Sequence, residues 1–337
     1  MNKALMPLAA LLALAALTVA GCGEKEESTS RPRAERLELV LDYFPNADHV
    51  GIYAALADGA FRKVGLDVKP RAPSDPAAPL KLLAAGRADL AISYEPEVLL
   101  ARDRGLRVVS VGAIVQKPLT SIMAVGAARV RDVRDLRGKR VGTAGIPYQS
   151  AYLKTILARA GVNPNSVDEV NVGFNLVPAM LSRRVDATLG SFWNYEGVEL
   201  RQRRRAPVVI PVDRVGVPTY NELVIVARKD DLAERGSRVR RFMRALAAGY
   251  GAARANPERA VGQLVRANPS LKRRLQLASV RATLPVFFPA DDKRPFGYQD
   301  RRAWDAYGRW MHENELVRDP PKAFRAATNE FLPGQGI

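Results

Sequence analysis

The chain has one cysteine, Cys22, and two histidines, His49 and His312, among 337 residues. A single cysteine excludes an internal disulfide and a Cys-based metal site. If Cys22 is lost to processing or lipidation, no thiolate nucleophile is left either. His312 lies in a C-terminal helical pattern, so general acid-base chemistry would rest on His49 and a few carboxylates. No Ser-His-Asp arrangement, metal-ligand cluster or phosphate loop is present, and no catalytic residue, metal or cofactor is expected. Beyond the first twenty residues no segment offers 18 consecutive apolar residues, the length a spanning helix needs at a minimum. Acids are also in deficit: 52 Lys and Arg face 35 Asp and Glu, a formal charge of +17. Such an excess can indicate nucleic acid. Here the arginines are scattered over helix faces (Arg201, Arg203, Arg204, Arg205; Arg238, Arg240, Arg241, Arg244) with no interleaved aromatics. The charge is therefore read as composition bias and attraction to an anionic cell surface, with no nucleic-acid partner.

The N-terminus has the layout of an export signal. Lys3 is the positive start, residues 5–19 are apolar, and Val19-Ala20-Gly21-Cys22 is a small-residue cleavage site ending in cysteine. Residues 1–21 read as a lipoprotein signal peptide and Cys22 as the lipidated first residue of the mature chain. Residues 22–36 are polar and aperiodic, which suits a flexible tether. About 300 residues remain to fold, enough for two domains.

From residue 37 short apolar runs alternate with helical patterns, which predicts βαβ units and mostly parallel sheets. Strands are expected at 65–69, 88–93 and 107–115 after the opening unit, then at 139–143, 167–172, 185–189 and 208–210. Past a strand at 222–228 the chain reads as helical, at 237–255, 257–267, 271–282, 300–315 and 322–331. Gly86-Arg87-Ala88-Asp89-Leu90-Ala91 is echoed by Arg184-Val185-Asp186-Ala187-Thr188-Leu189-Gly190, each ending a helix and opening a buried strand. The expected architecture is α/β: two Rossmann-like lobes with a hinge, residues 37–121 and 226–337 forming lobe one and 122–225 lobe two. The C-terminal helices are placed on lobe one, and strands 120–125 and 222–227 are the crossings.

The most informative stretch runs from Leu39 to Tyr53. An apolar strand ends at Asp42-Tyr43-Phe44-Pro45-Asn46 and resumes, past His49, as a helix. Loops at the carboxyl ends of strands are where open α/β sheets bind ligands. The corresponding loops elsewhere hold Ser93, Tyr94 and Glu95; Thr143, Ala144 and Gly145; Ser191, Phe192, Trp193, Tyr195 and Glu196; and Pro218, Thr219, Tyr220, Asn221 and Glu222. These loops contain acids and rings but neither Lys nor Arg. That composition suits a flat, electron-poor or cationic heterocycle, which stacks on rings and donates to carboxylates. It suits sulfonate, nitrate or phosphate poorly, since those want arginine forks or helix N-termini. Each residue also has a structural reading. Asp42 and His49 could cap a turn or helix, and Glu95 could complement a helix dipole. Strand alternation lets only one of Tyr43 and Phe44 face the cleft. Trp193 reads as a stacking platform, and Tyr220 and Asn221 sit at the hinge.

Leu41-Asp42-Tyr43-Phe44-Pro45-Asn46-x-x-His49-x-Gly51-x-Tyr53 is followed by Gly59-Ala60-Phe61-x-x-x-Gly65-Leu66, Leu136-x-Gly138-Lys139-x-Val141-Gly142 and Phe192-Trp193-Asn194-Tyr195-Glu196-Gly197. Together they resemble the thiamine-pyrimidine precursor family of type II periplasmic solute-binding proteins, over residues 37–270. The resemblance implies a monomer of two lobes closing over a small heterocycle, held to the membrane through Cys22 and serving an ABC permease outside the cytoplasm. It implies a formylaminopyrimidine-like ligand, with riboflavin or another heterocycle as the alternative. Ligand contacts would be Asp42, Tyr43, Asn46, His49, Tyr94, Glu95, Trp193, Tyr195, Glu196, Tyr220 and Asn221. The same family contains an enzyme branch that builds the pyrimidine from its own histidine and pyridoxal phosphate, using iron and a cysteine-rich segment. His49 matches that histidine, but Gly216-Val217-Pro218-Thr219-Tyr220-Asn221 stands where the cysteines would be, so a binder rather than an enzyme is expected.

Overall fold

The structure is a computed structural model and describes residues 34–318 and 323–334. The expected signal peptide, Cys22 and the tether up to residue 33 lie outside the described residues. The strands in chain order are β1 (Glu35–Val40), β2 (Leu66–Arg71), β3 (Leu90–Ser93), β4 (Val108–Val115), β5 (Thr120–Val125), β6 (Arg140–Thr143), β7 (Asp168–Asn171), β8 (Ala187–Phe192), β9 (Pro207–Pro211) and β10 (Leu223–Arg228). The helices are α1 (Val50–Ala57), α2 (Ala60–Lys63), α3 (Pro79–Ala84), α4 (Glu95–Asp103), α5 (Pro147–Arg159), α6 (Leu176–Leu181), α7 (Glu196–Gln202), α8 (Lys229–Ala255), α9 (Pro257–Ala267), α10 (Arg273–Thr283) and α11 (Arg301–Glu313).

Two five-stranded sheets result, ordered β2-β1-β3-β10-β4 and β7-β6-β8-β5-β9. β1 pairs parallel with β2 and β3, while β10 runs antiparallel between β3 and β4. The second sheet repeats this plan with β6 at the position of β1 and β5 as the antiparallel strand. The fold is thus α/β with two lobes of one topology, in mixed rather than wholly parallel sheets. Each antiparallel strand is contributed by chain arriving from the other lobe: β5 directly follows β4, and β10 follows β9. β3, β4 and most of β10 are buried, as continuous apolar runs covered on both faces should be.

Because β5 lies whole in the second sheet and β10 whole in the first, the expected lobe limits at 121/122 and 225/226 shift to residues 116–119 and 212–222. β1 starts at Glu35, inside the stretch expected to be tether. α8 begins at Lys229, ahead of the expected residue 237, but it departs from helical geometry at Arg235 (φ −121°, ψ 21°), beside Gly236. The expected helix at 322–331 is only a 3-10 turn, Ala323–Ala326, among the described residues. α8 and α9 pack on α1 in the first lobe. α10 and α11 also reach lobe two: Gln276 Nε2 donates to the Tyr195 hydroxyl at 3.1 Å, and Tyr307 hydrogen-bonds Tyr152.

α1 and α8 cross at two glycines. A Cβ on Gly249 would lie 2.0 Å from the Gly51 carbonyl oxygen, and one on Gly51 would lie 2.2 Å from the Tyr250 ring. This contact lets Tyr250 donate to the Asp48 carbonyl at 2.6 Å, so α8 braces the turn between β1 and α1. Gly249→Ala is expected to lower unfolding free energy by about 1–3 kcal/mol, the usual cost of overpacking. Urea denaturation measures it, and an unchanged midpoint would show that the crossing has slack.

Candidate functional site

In each sheet the chain moves to one side from β1 (β6 in lobe two) and to the other at β3 (β8), which makes β1/β3 and β6/β8 the switch points where α/β sheets open a crevice at the strand carboxyl ends. One cleft is lined from both. The first lobe gives Asp42, Tyr43 and Asn46 after β1 and Tyr94 after β3; the second gives Ala144, Ile146 and Gln149 after β6, Leu176 at the start of α6, and Gly190, Phe192, Tyr195 and Glu196 along and after β8. The cleft encloses about 390 Å³ of empty space.

Asp42 is the best-held group. Its Oδ1 lies 2.8 Å from His49 Nε2, and its Oδ2 accepts from the Tyr94 hydroxyl at 3.0 Å. His49 Nδ1 accepts the Asn46 backbone N–H at 3.2 Å, so the ring is neutral and its proton sits on Nε2, facing Asp42. Asn46 in turn caps the short turn at residues 47–49 through Asp48 N. From the other lobe, Glu196 Oε2 accepts the Phe192 N–H at 2.8 Å in the first turn of α7. Burial, helped by Glu199 and Asp42, pushes the Glu196 carboxyl up to about 7. Burial likewise raises the Tyr195 phenol to about 12, and the Tyr43 phenol further still. Gln149 Oε1 accepts the Ala144 N–H at 2.7 Å. The lining contains two carboxylates, three tyrosines and no Lys or Arg.

Contacts between the lobes close the cleft. Tyr43 donates to the Phe174 carbonyl at 2.7 Å, and both Tyr43 and Phe44 pack against the Phe174 ring, with centroids at 4.7 and 4.3 Å. Asn194 Nδ2 reaches Asp48 Oδ1 at 2.7 Å and Thr283 Oγ1 at 2.6 Å. At the hinge Glu222 accepts the Leu119 and Thr120 N–H groups at 2.6 and 2.8 Å, the Thr120 hydroxyl and the Tyr220 hydroxyl, which ties the two crossings together.

Of the eleven expected contacts, Asp42, Tyr43, Asn46, Tyr94, Tyr195 and Glu196 line the cleft together. The other five lie elsewhere. His49 is fully buried behind Asp42. Glu95 accepts from both the backbone N–H and the side-chain amide of Asn221, at 2.7 Å each, so this pair joins α4 to the second crossing. Tyr220 is buried against Glu222. Trp193 turns away and donates to the Pro118 carbonyl at 3.0 Å. Neither Tyr43 nor Phe44 is core: the strand has already ended at Val40, so alternation no longer holds, and Phe44 is 50% exposed. His312 is partly buried, its Nδ1 beside the Val317 carbonyl.

The sequence reading missed Ile146, Gln149, Leu176 and Gly190. Gln149 sits in the first turn of α5, just past the loop at residues 143–145. Gly190 was signalled by a glycine inside an apolar strand, the mark of a bulge. The β5–β8 register skips it, its φ is +109°, and a Cβ there would lie 2.3 Å from Gln149 Nε2.

Comparison with known proteins places the chain in a family and a fold. Residues 46–260 match the family described as NMT1/THI5 like. The formylaminopyrimidine-binding protein of Halalkalibacterium halodurans is 34% identical over 314 residues, 92% of this chain and 94% of that one. The 4-amino-5-hydroxymethyl-2-methylpyrimidine phosphate synthase of Legionella pneumophila is 25% identical over 301 residues, 88% and 92% of the two chains. Among solved structures, the alkanesulfonate-binding protein of Xanthomonas axonopodis pv. citri bound to MOPS superposes with a TM-score of 0.68 at 16% identity, covering 87% of this chain and 98% of that one; it shares the two-lobe fold.

Burial of carboxyl groups has a consequence for pH. It raises Asp48, Glu97, Glu196 and Glu222 to about 7 and Glu95 to about 8. Each acid keeps a proton in the folded chain that the unfolded chain, near pH 4, has already released. Its stabilising contribution is therefore complete in acid and is lost as pH rises through about 7. The melting temperature is expected to fall between about pH 5 and pH 8, with a shallower fall in Asp48→Asn. Calorimetry across that range checks it, and a rise toward pH 8 would contradict the assignment.

Proposed function

The chain belongs to the NMT1/THI5-like family, and within it we propose that this protein is the solute-binding subunit of an ABC importer. It is anchored outside the cytoplasm by a lipid on Cys22, acts as a monomer, and captures a formylaminopyrimidine-like precursor of thiamine. The observation that carries the reading is the lining of the cleft. Asp42 and Glu196 approach from opposite lobes among Tyr43, Tyr94, Phe192 and Tyr195, with no Lys or Arg in the lining. An aminopyrimidine offers a flat ring to stack and an exocyclic amine to donate to a carboxylate. Donation to both lobes at once makes closure the state that gains binding energy. The 34% identity to a formylaminopyrimidine-binding protein over nearly the whole length supports the same ligand class.

The relatives named as synthases raise a second reading. A pyridoxal phosphate enzyme needs an amine for the aldehyde and donors for the phosphate. The cleft lining contains neither Lys nor Arg, its two charged groups are carboxylates, and Glu196 already occupies the start of α7. The residues present do not fit that cofactor, and the only cysteine in the sequence is Cys22. A synthase would also consume His49, here fixed between Asn46 and Asp42. Intact mass after incubation with pyridoxal phosphate and ferrous iron separates the two readings: a binder keeps its mass.

Thermal shift with pyrimidines, flavins and sulfonates tests the ligand, and a site filled at 100 times its dissociation constant adds about 2.7 kcal/mol of stability. Asp42→Asn and Glu196→Gln are each expected to weaken pyrimidine binding roughly tenfold or more, since each leaves a buried donor poorly matched. Trp193→Ala should change affinity by no more than roughly threefold, because its indole points to Pro118. A melting shift with a sulfonate and none with any pyrimidine would overturn the ligand class. Cys22→Ser is expected to move the exported protein from the membrane to the soluble fraction, read by fractionation.

A further inference from the structure

A second concave surface lies on lobe two, away from the cleft. It is a groove of about 810 Å³ lined by Arg131, Asp132, Val133 and Arg134 ahead of β6, by Ile156, Arg159 and Ala160 at the end of α5, by Ile210 of β9, and by Arg214, Val215 and Gly216 of the second crossing. α5 starts beside the cleft at Ile146 and ends in the groove, so the two sites stand about 18 Å apart along the helix.

The groove is strongly positive, with four arginines and one aspartate in its lining. Arg131, Arg134, Arg159 and Arg214 are all exposed, and among the described residues none has a carboxylate within ion-pair distance. Some exposed arginines elsewhere are matched with acids, as in Arg259 with Asp58 and Arg318 with Asp103. The nearby acids are engaged by backbone: Asp132 Oδ1 accepts the Arg134 N–H at 2.7 Å, and Asp135 Oδ2 accepts the Arg131 and Asp132 N–H groups. The floor is apolar, from Val133, Ile156, Ile210 and Val215. Arg159 is seated against the crossing itself. Gly216 has φ +109°, and a Cβ on it would come within 2.4 Å of Arg159 Nε.

We propose that this groove docks an acidic, leucine-bearing segment of a partner protein, with carboxylates on the four arginines and an aliphatic side chain on the floor. Guanidinium forks favour carboxylates of defined geometry. A small inorganic anion would leave the floor unused, and the lining has no ring on which a nucleobase could stack. A membrane would need the arginines on a convex face rather than around a groove. One wall is the segment that must move when the lobes rotate, so an occupant would grip lobe two and the hinge together.

The test uses the mature protein and a short fluorescein-labelled peptide of alternating Glu and Leu, followed by anisotropy. Saturable binding is expected in wild type, with affinity lowered roughly tenfold or more in Arg134→Gln/Arg214→Gln while the melting temperature is unchanged. A Glu-Gly peptide of equal charge should bind more weakly. The proposal is overturned if the double variant binds equally, if the Glu-Gly peptide binds as well as the Glu-Leu peptide, or if pyrophosphate or anionic vesicles are retained by the same arginines while the peptide is not. These outcomes are independent of which solute fills the cleft.

Discussion

A carboxylate can face an apolar cleft only if something behind it carries part of its charge, and Asp42 is supported on both oxygens. His49 donates to one and Tyr94 to the other. The support is itself layered: Asn46 fixes the His49 tautomer, and Tyr250 bonds the Asp48 carbonyl, which it can reach because α1 and α8 meet at Gly51 and Gly249. A neutral imidazole stabilises the aspartate without neutralising it, so acceptor capacity remains for a ligand. Glu196 arrives from the other lobe, and its raised pKa records burial first, then the proximity of Glu199 and Asp42. Bringing two carboxylates into one buried space whose lining has no Lys or Arg is unfavourable by itself. In the proposed binding role, a donor-bearing ligand between them would turn that opposition into attraction to both lobes, and the cost of closing the cleft would then make closure ligand-specific.

For closure to happen as a rigid-body motion, flexibility has to be confined to the crossings. The topology does this by giving each sheet its antiparallel strand from the other lobe, so each crossing is anchored within a few residues in a buried strand. Glu222 then gathers N–H groups from the first crossing while sitting on the second, and Glu95 holds Asn221 beside it. These carboxylates act within the protein rather than on solute, and their backbone partners offset only part of the desolvation. The crossings are accordingly tied together, with the rings of Tyr152, Tyr220 and Tyr307 in edge and tilted contact alongside.

Much of this is legible in residue order. Alternating apolar runs give the α/β class, and the echo around Asp89 and Asp186 corresponds to the same strand position in two sheets of equal topology, since each carboxylate accepts a neighbouring strand's N–H. Loops at strand carboxyl ends locate the cleft, and their lack of Lys and Arg predicts its polarity. What a linear reading cannot supply is which way a side chain turns once the strand ends. Trp193, Tyr195 and Glu196 are adjacent in sequence, yet the turn into α7 sends the indole to Pro118 and the other two inward. His49 carries the same ambiguity, because a ring that holds a binding carboxylate and a ring that binds have the same neighbours in sequence. Gly190 requires knowing that β5 pairs with β8, which is a long-range fact.

The latch between Asp48 and Asn194 follows from the same chemistry. Asp48 Oδ2 and Asn194 Oδ1 are both buried without a hydrogen-bond partner, although Asn194 Nδ2 already joins the two side chains. Burial raises the Asp48 carboxyl to about 7, so the group joining the lobes changes charge as pH passes through that value. Asp48 sits on the same short turn as His49, one residue away, so the contact to Asn194 and the ring that orients Asp42 are held by one structural element braced from α8.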